Sequence, residues 1–442
     1  MKLKNNSTPL IKVLDACDEN FENELNMLLD FESKNNKTLN EKVEEIIECI
    51  KVNGDSALIK YCEEFDKYKV SSTEELKIDK NTMRETYNSI DFEDRSSLNT
   101  AANRIYKFHE RQELHGFSYT DEFGSEIAMK VLPIEKVGIY VPGGTAAYPS
   151  SVLMNSIPAR VANVKEITMT VPSPNGKLNP MVIAAAHLAG VDKIYKIGGA
   201  QAIAALAYGT ESISRVDKIV GPGNSFVAAA KKQVYGVVGI DMIAGPSEIL
   251  VICDGKTNPD WIALDLFSQA EHDESAQSIL LTDNWGFLEE VYESMEKLLP
   301  KMDRESIIKT SLINRGALIY VENLTKACQI ANKIAPEHLE LCVENSKNWS
   351  KSISNAGSVF LGKYSSEALG DYCVGPNHVL PTSGSARFSS GLSVHDFKKR
   401  MSVTSISESG ANALGRVASK LAKGERLSAH ALAAEARIKK PI

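Results

Sequence analysis

The chain has 442 residues, more than one hydrophobic core usually supports, so two or more domains are expected. Its 43% hydrophobic and 24% charged content excludes disorder, and the net charge of −7 excludes the basic stripe of a nucleic-acid surface. Seven cysteines without a CxxC pair exclude a cysteine zinc site and argue against a disulfide framework, no apolar run is long enough to cross a bilayer, and "MKLKNNSTPL" has no signal-peptide character, so a soluble cytoplasmic protein is expected.

The N-terminal quarter reads as helices. Val43, Ile46, Ile47 and Ile50 recur at i, i+3, i+4, i+7 on one face; Asn53-Gly54 stops that helix and Asp55 suits the cap of the next. Helix is expected to about His115, then a hairpin in "FSYTDEFGSEIAMKVLPI". From residue 136, short β-rich runs ("KVGIYVPGG", "EITMTVP", "VDKIYKIGG", "VDKIVGPGN", "GIDMIAGPSEILVICD") alternate with Ala-rich helical segments. That alternation predicts βαβ units and a parallel sheet covered on both faces. A second αβ series follows ("DWIALDLFSQAEH", "SAQSILLT", "GALIYV", "TKACQIANKI", "AGSVFLG"), and the last fifty-odd residues read as polar, then helical, without strand character. The expected class is α/β with two nucleotide-fold-like halves and helical arms.

No G-x-G-x-x-G follows a strand; the glycines instead sit at strand ends, as Gly143-Gly144, Gly198-Gly199 and the "GPGN" of 221–224. Such glycines let a ligand approach the backbone, but α/β turns are Gly-rich anyway. Gln269 and His272, three apart in a helical segment, offer an amide oxygen and an imidazole to a cation, or simply form a solvated face. "EALGDYCVGPNHVLPT" gathers Asp371, Asn377 and His378 in a segment too irregular for a core element. Glu425 and His430 lie in "GERLSAHALAAEA", His430 in the first turn of a tail helix. Pro336 suits the first position of a helix, which would put Glu337 and His338 at its N-terminus, the dipole keeping the carboxylate charged and the imidazole neutral. This is the setting of a general base and equally a plain cap. His109, His115, His187 and His395 carry no such context.

Taken in order, "VGIYVPGGTAAYPSSVLMN", "YKIGGAQAIAALAYGT", "KIVGPGN", "GIDMIAGPSE", "SQAEHD", "IAPEHLEL", "LGDYCVGPNHVLPT" and "RLSAH" resemble the histidinol dehydrogenases, over residues 135 to 435. The resemblance implies a zinc- and NAD-dependent enzyme that oxidises L-histidinol through L-histidinal to L-histidine, closing histidine biosynthesis. It implies one zinc per subunit, with Gln269, His272, Asp371 and His430 as ligands that also contact substrate. Glu337 and His338 match the catalytic pair, His338 also meeting substrate; Ser247, His378 and Glu425 match substrate contacts; Tyr140, Gln201 and Asn224 match cofactor contacts. It implies a homodimer in which His430 and Glu425 cross to the partner's site. The implied fold is aldehyde-dehydrogenase-like, with two incomplete Rossmann-like domains. The expected division is an arm at 1–34, one α/β domain from 35–138 with 246–384, a cofactor-side domain at 139–245, and a C-terminal arm at 385–442. Ser225-Phe226 and Gly391 depart from the family pattern, outside the matched site positions. The alternatives are a related zinc- and NAD-dependent dehydrogenase acting on another small polar alcohol, a zinc hydrolase with Glu337 as base, and a silent binding module.

Overall fold

The computed structural model describes residues 9–30, 37–143 and 147–439; Gly144 and the two ends of the expected N-terminal arm, 1–8 and 31–34, lie outside them. Two six-stranded sheets carry the chain. In the first, β1 (Lys12–Asp15), β12 (Ala317–Tyr320), β11 (Gln277–Thr282), β10 (Glu248–Cys253), β13 (His338–Cys342) and β14 (Ser358–Leu361) run in that spatial order, all parallel. In the second the order is β2 (Lys77–Ile78), β7 (Lys193–Tyr195), β6 (Glu166–Thr170), β5 (Lys136–Tyr140), β8 (Lys218–Val220) and β9 (Gly239–Ile240), parallel except for β2. A third sheet joins the expected hairpin, β3 (Phe117–Thr120) and β4 (Glu126–Pro133), to β15 (Lys398–Ser405).

The α/β class and the two Rossmann-like halves are as the alternation predicts. Central strands such as β11 are buried along their whole length because helices cover both faces. In each sheet the strand order reverses once, between β5 and β8 and between β10 and β13, which leaves a crevice at the strand ends.

The structure corrects the expected division of the chain. Helix Lys37–Asp66 packs on helices Gly199–Tyr208 and Ser225–Val234, and β2 hydrogen-bonds to β7, so residues 37–109 belong with the second sheet and not with 246–384. The N-terminal segment is not purely helical either, since β1 forms the edge of the first sheet. Nor does the C-terminal region lack strands: the eight residues of β15 alternate poorly because they lie largely exposed, which hid them from the sequence pattern. Gly54 does break its helix, at φ +49. Asp55, however, accepts from Ser212 and Thr73 rather than capping locally.

Candidate active site

Strands β10, β13 and β14 begin side by side, His338 pairing with Ile249 and with Ser358. The helix before β13, Leu324–Ile334, ends at Ala335 in the left-handed region (φ +52). Pro336 therefore stops that helix and does not start another. Glu337 and His338 lead into a strand, which corrects the expected helix N-terminus and removes its dipole from the argument. The strand alternation sends Leu339 and Leu341 into one apolar cluster and turns His338, Glu340 and Cys342 to the other face.

Glu248 holds both members of the pair. Its N–H donates to Glu337 Oε2 at 2.9 Å, and its C=O lies 3.0 Å from His338 Nδ1. A carbonyl only accepts, so Nδ1 carries a proton, and in the neutral ring it is Nε2 that keeps the lone pair. That Nε2 is buried without a hydrogen-bond partner, 3.5 Å from Asp371 Oδ1. The imidazole is thus fixed in the tautomer of a proton acceptor.

Charge here comes from carboxylates. Glu337 and Glu367 stand 3.7 and 3.8 Å from His338 Nδ1. Burial opposes the imidazolium, but Glu337, Glu367 and Asp371 together outweigh it and raise the His338 pKa well above 6.5. Burial pushes Glu337 up to about 8, and Glu367 and Glu248 each to about 7. Asp371 goes the other way: burial opposes its charge, yet His338, His378 and His272 hold it below its usual range.

The irregular segment after β14 closes a cavity of about 240 Å³ lined by His338, Ser358, Phe360, Asp371, Asn377 and His378 among others, a size for a small metabolite. His378 Nδ1 donates to the Asp371 carbonyl at 2.9 Å. Asn377 donates to Met154 O at 2.7 Å and to His109 Nε2 at 3.3 Å, and His109 in turn bonds Ile105 O. His109, which has no sequence context, is therefore a fully buried anchor for this segment. Glu248, Glu340 and Glu367 also escaped the sequence reading, because single acidic residues within strands and at strand or helix starts carry no spacing signal.

Gln269 lies in the last turn of helix Pro259–Ala270, and His272 just past it rather than within it, yet their side chains meet at 3.3 Å. Gln269 Oε1 is buried with no partner. His272 and Asp371 act on each other electrostatically. A buried orphan amide oxygen, an imidazole and a carboxylate form the oxygen and nitrogen donor set that a borderline divalent cation takes. Asp371 also belongs to a second grouping, in which donor atoms of His338, Glu367 and Asp371 lie within 4.8 Å of one another.

A family model described as histidinol dehydrogenase matches residues 30–438. The histidinol dehydrogenase of Pseudomonas fluorescens (strain Pf0-1) is 54% identical over 432 residues, 98% of each chain. That of Nitrosomonas europaea is 54% identical over 97% of this chain and 99% of its own. The chain belongs to the histidinol dehydrogenase family. The crystal structure of histidinol dehydrogenase from Elizabethkingia anophelis matches with a TM-score of 0.90 and 37% identity over 98% of this chain and 99% of that one. The enzyme is accordingly an oxidoreductase of this family.

The remaining residues that the family resemblance singles out occupy two further places. Tyr140 ends β5 and Asn224, after β8, caps helix Ser225–Val234, both beside the β5/β8 reversal, while Gln201 lies in the first turn of helix Gly199–Tyr208, which follows β7. Tyr140 and Gln201 are buried, the Tyr140 hydroxyl accepting from Gly199 N at 3.1 Å. Burial pushes the Tyr140 phenol up to about 12, so it stays neutral. Ser247 immediately precedes Glu248. Glu425 and His430 are not brought to the cavity within one chain. Both are exposed on the tail, at the end of helix Glu408–Gly424 and in helix Ser428–Glu435.

Proposed function

We propose that the enzyme carries out the NAD-dependent, two-step oxidation of L-histidinol through L-histidinal to L-histidine, the end of histidine biosynthesis. The observation that carries this reading is His338, a residue of the cavity lining, its Nδ1–H tied to the Glu248 carbonyl and its buried Nε2 without a hydrogen-bond partner, with Glu337 beside it. His338 Nε2 takes the alcohol proton as hydride leaves to the first NAD. Glu337 removes a proton from the water that adds to the aldehyde, and His338 then takes the hydrate's proton as the second hydride leaves. The carboxylates around His338 raise its proton affinity, so the ring releases its proton to solvent before each step in which it accepts one.

Gln269, His272 and Asp371 would hold zinc, with His430 of the partner subunit as fourth ligand. When bound, zinc supplies a Lewis-acid template that orients the substrate's imidazole and amine. The orphan Gln269 Oε1 supports that assignment. Ser247, His378 and Glu425 would contact substrate, and Tyr140, Gln201 and Asn224 would contact NAD. A homodimer with exchanged tails accounts for a His430 and a Glu425 that are exposed and do not line their own cavity. Cytoplasmic residence fits seven cysteines that all remain free thiols. Among the described residues no helix is long and apolar enough to cross a membrane.

The test is stoichiometry: limiting L-histidinol, excess NAD and metal-loaded enzyme, with a chelated control. Two NADH per histidinol, lost on chelation and restored by zinc, is expected. One NADH would replace the reading with a single-step alcohol dehydrogenase; none would overturn it.

A further inference from the structure

We propose that the buried ion pair Lys231–Asp241 is a positioning device for the cofactor, presetting the turn Gly221–Asn224 against which NAD would lie. The inference rests on the reading of the β5/β8 crevice as the cofactor side. The side chains of the pair are only 3% and 1% exposed. Buried pairs add little stability over apolar residues of the same shape, so fixing a conformation is their better-attested use. Here the conformation is identifiable.

The pair grips a single residue from both sides. Lys231 Nζ donates to Gly221 O at 2.9 Å, while Asp241 Oδ2 accepts from Gly221 N at 2.7 Å. Gly221 directly follows β8 and stands at φ +110, where side chains are strained; a Cβ there would lie 2.0 Å from Tyr140 O. The turn is thereby pressed onto the end of β5, at the point where the strand order reverses and α/β sheets take ligands. Lys231 reaches back from helix Ser225–Val234, and Asp241 follows β9, its N–H donating to Ile219 O in β8. Three elements are thus locked around one peptide. Asn224 completes the turn by accepting from Phe226 N and Val227 N, which sets the first amides of the helix. Neither Lys231 nor Asp241 lines the cavity or is among the metal-ligand candidates, so the pair would act on the reaction through the turn.

Gly221-Pro222-Gly223 contains two glycines, and released from the pair it would have to be ordered afresh by each NAD. The expected cost is on the order of tenfold in cofactor affinity, the entropy of fixing about one further residue on binding.

The experiment uses the metal-loaded full chain and the double variant Lys231→Met/Asp241→Leu, which removes both charges and both contacts to Gly221 and leaves no charge buried alone. The apparent KM for NAD and the Kd for NADH, read by fluorescence, should rise about tenfold, with KM for L-histidinol and kcat at saturating NAD within about twofold of the wild type. A folded double variant with wild-type NAD and NADH constants overturns the proposal. If the variant does not fold, amide exchange in the wild type decides. Gly221 N–H should be equally protected with and without NADH; protection that appears only with NADH overturns a preset turn. A wild type that binds NADH but oxidises no L-histidinol refutes the functional reading and leaves the clamp standing. One that binds no NADH refutes both.

Discussion

Glu337→Gln separates the two oxidation steps. The residue is 6% exposed and its Oε2 accepts the Glu248 N–H at 2.9 Å, a bond that a glutamine oxygen keeps. The fold and the His338 tautomer therefore survive, since the latter depends on the Glu248 carbonyl. What is lost is a proton acceptor for water and one of three carboxylates acting on His338. Alcohol oxidation needs only His338 and should slow little. Aldehyde oxidation needs water activation, and loss of a general base costs about 10²–10⁴-fold, or roughly 3–5 kcal/mol on that barrier at about 1.4 kcal/mol per factor of ten. Stopped-flow absorbance with limiting L-histidinol should then resolve one fast NADH and a second delayed by that factor. Two phases slowed equally would refute the division of labour, and so would a second phase at the wild-type rate.

Replacing His338 by Gln should slow both NADH phases by about 10²–10⁴-fold while zinc content, measured by atomic emission, stays at the wild-type level; zinc loss would place His338 among the metal ligands. Mixed dimers of His430→Ala and His338→Gln chains should regain activity that neither homodimer has, because one composite site is then intact; no recovery on subunit exchange would refute the crossing of His430. Asp265, hydrogen-bonded to Glu340, has its pKa raised by burial from 3.8 to about 6. The folded state thus holds this proton more tightly than the unfolded chain, so its stabilisation is full below about pH 4 and lost as pH rises through 6. Asp265→Asn should accordingly flatten the fall in Tm between pH 4 and 6, and an unchanged slope would show that Asp265 is not the titrating group.

The sequence by itself determined the architecture. Runs of β-branched residues alternating with Ala-rich segments specify βαβ units, because short-range periodicity follows from which faces each element buries. Phe117–Pro133 as a hairpin and the break at Gly54 were legible for the same reason. Several ordered blocks were also enough to carry the family. Pro336 misled because a proline suits both the start of a helix and the residue after its end. The alternation of Leu339 and Leu341 with His338 and Glu340 was the signal for a strand.

Tertiary structure alone decided the electrostatics and the partners. His338 is set by a carbonyl 90 residues away, Asn377 by a histidine 268 residues away, and β1 by a strand some 300 residues on. The segment 37–109 joined the second sheet through β2, whose two residues are too short to carry a pattern. Gly221 looked like any turn glycine until Lys231 and Asp241 closed on it. Side-chain periodicity encodes which residues are buried, whereas a pKa, a tautomer or a preset turn depends on what they are buried against. That is fixed only when distant segments pack.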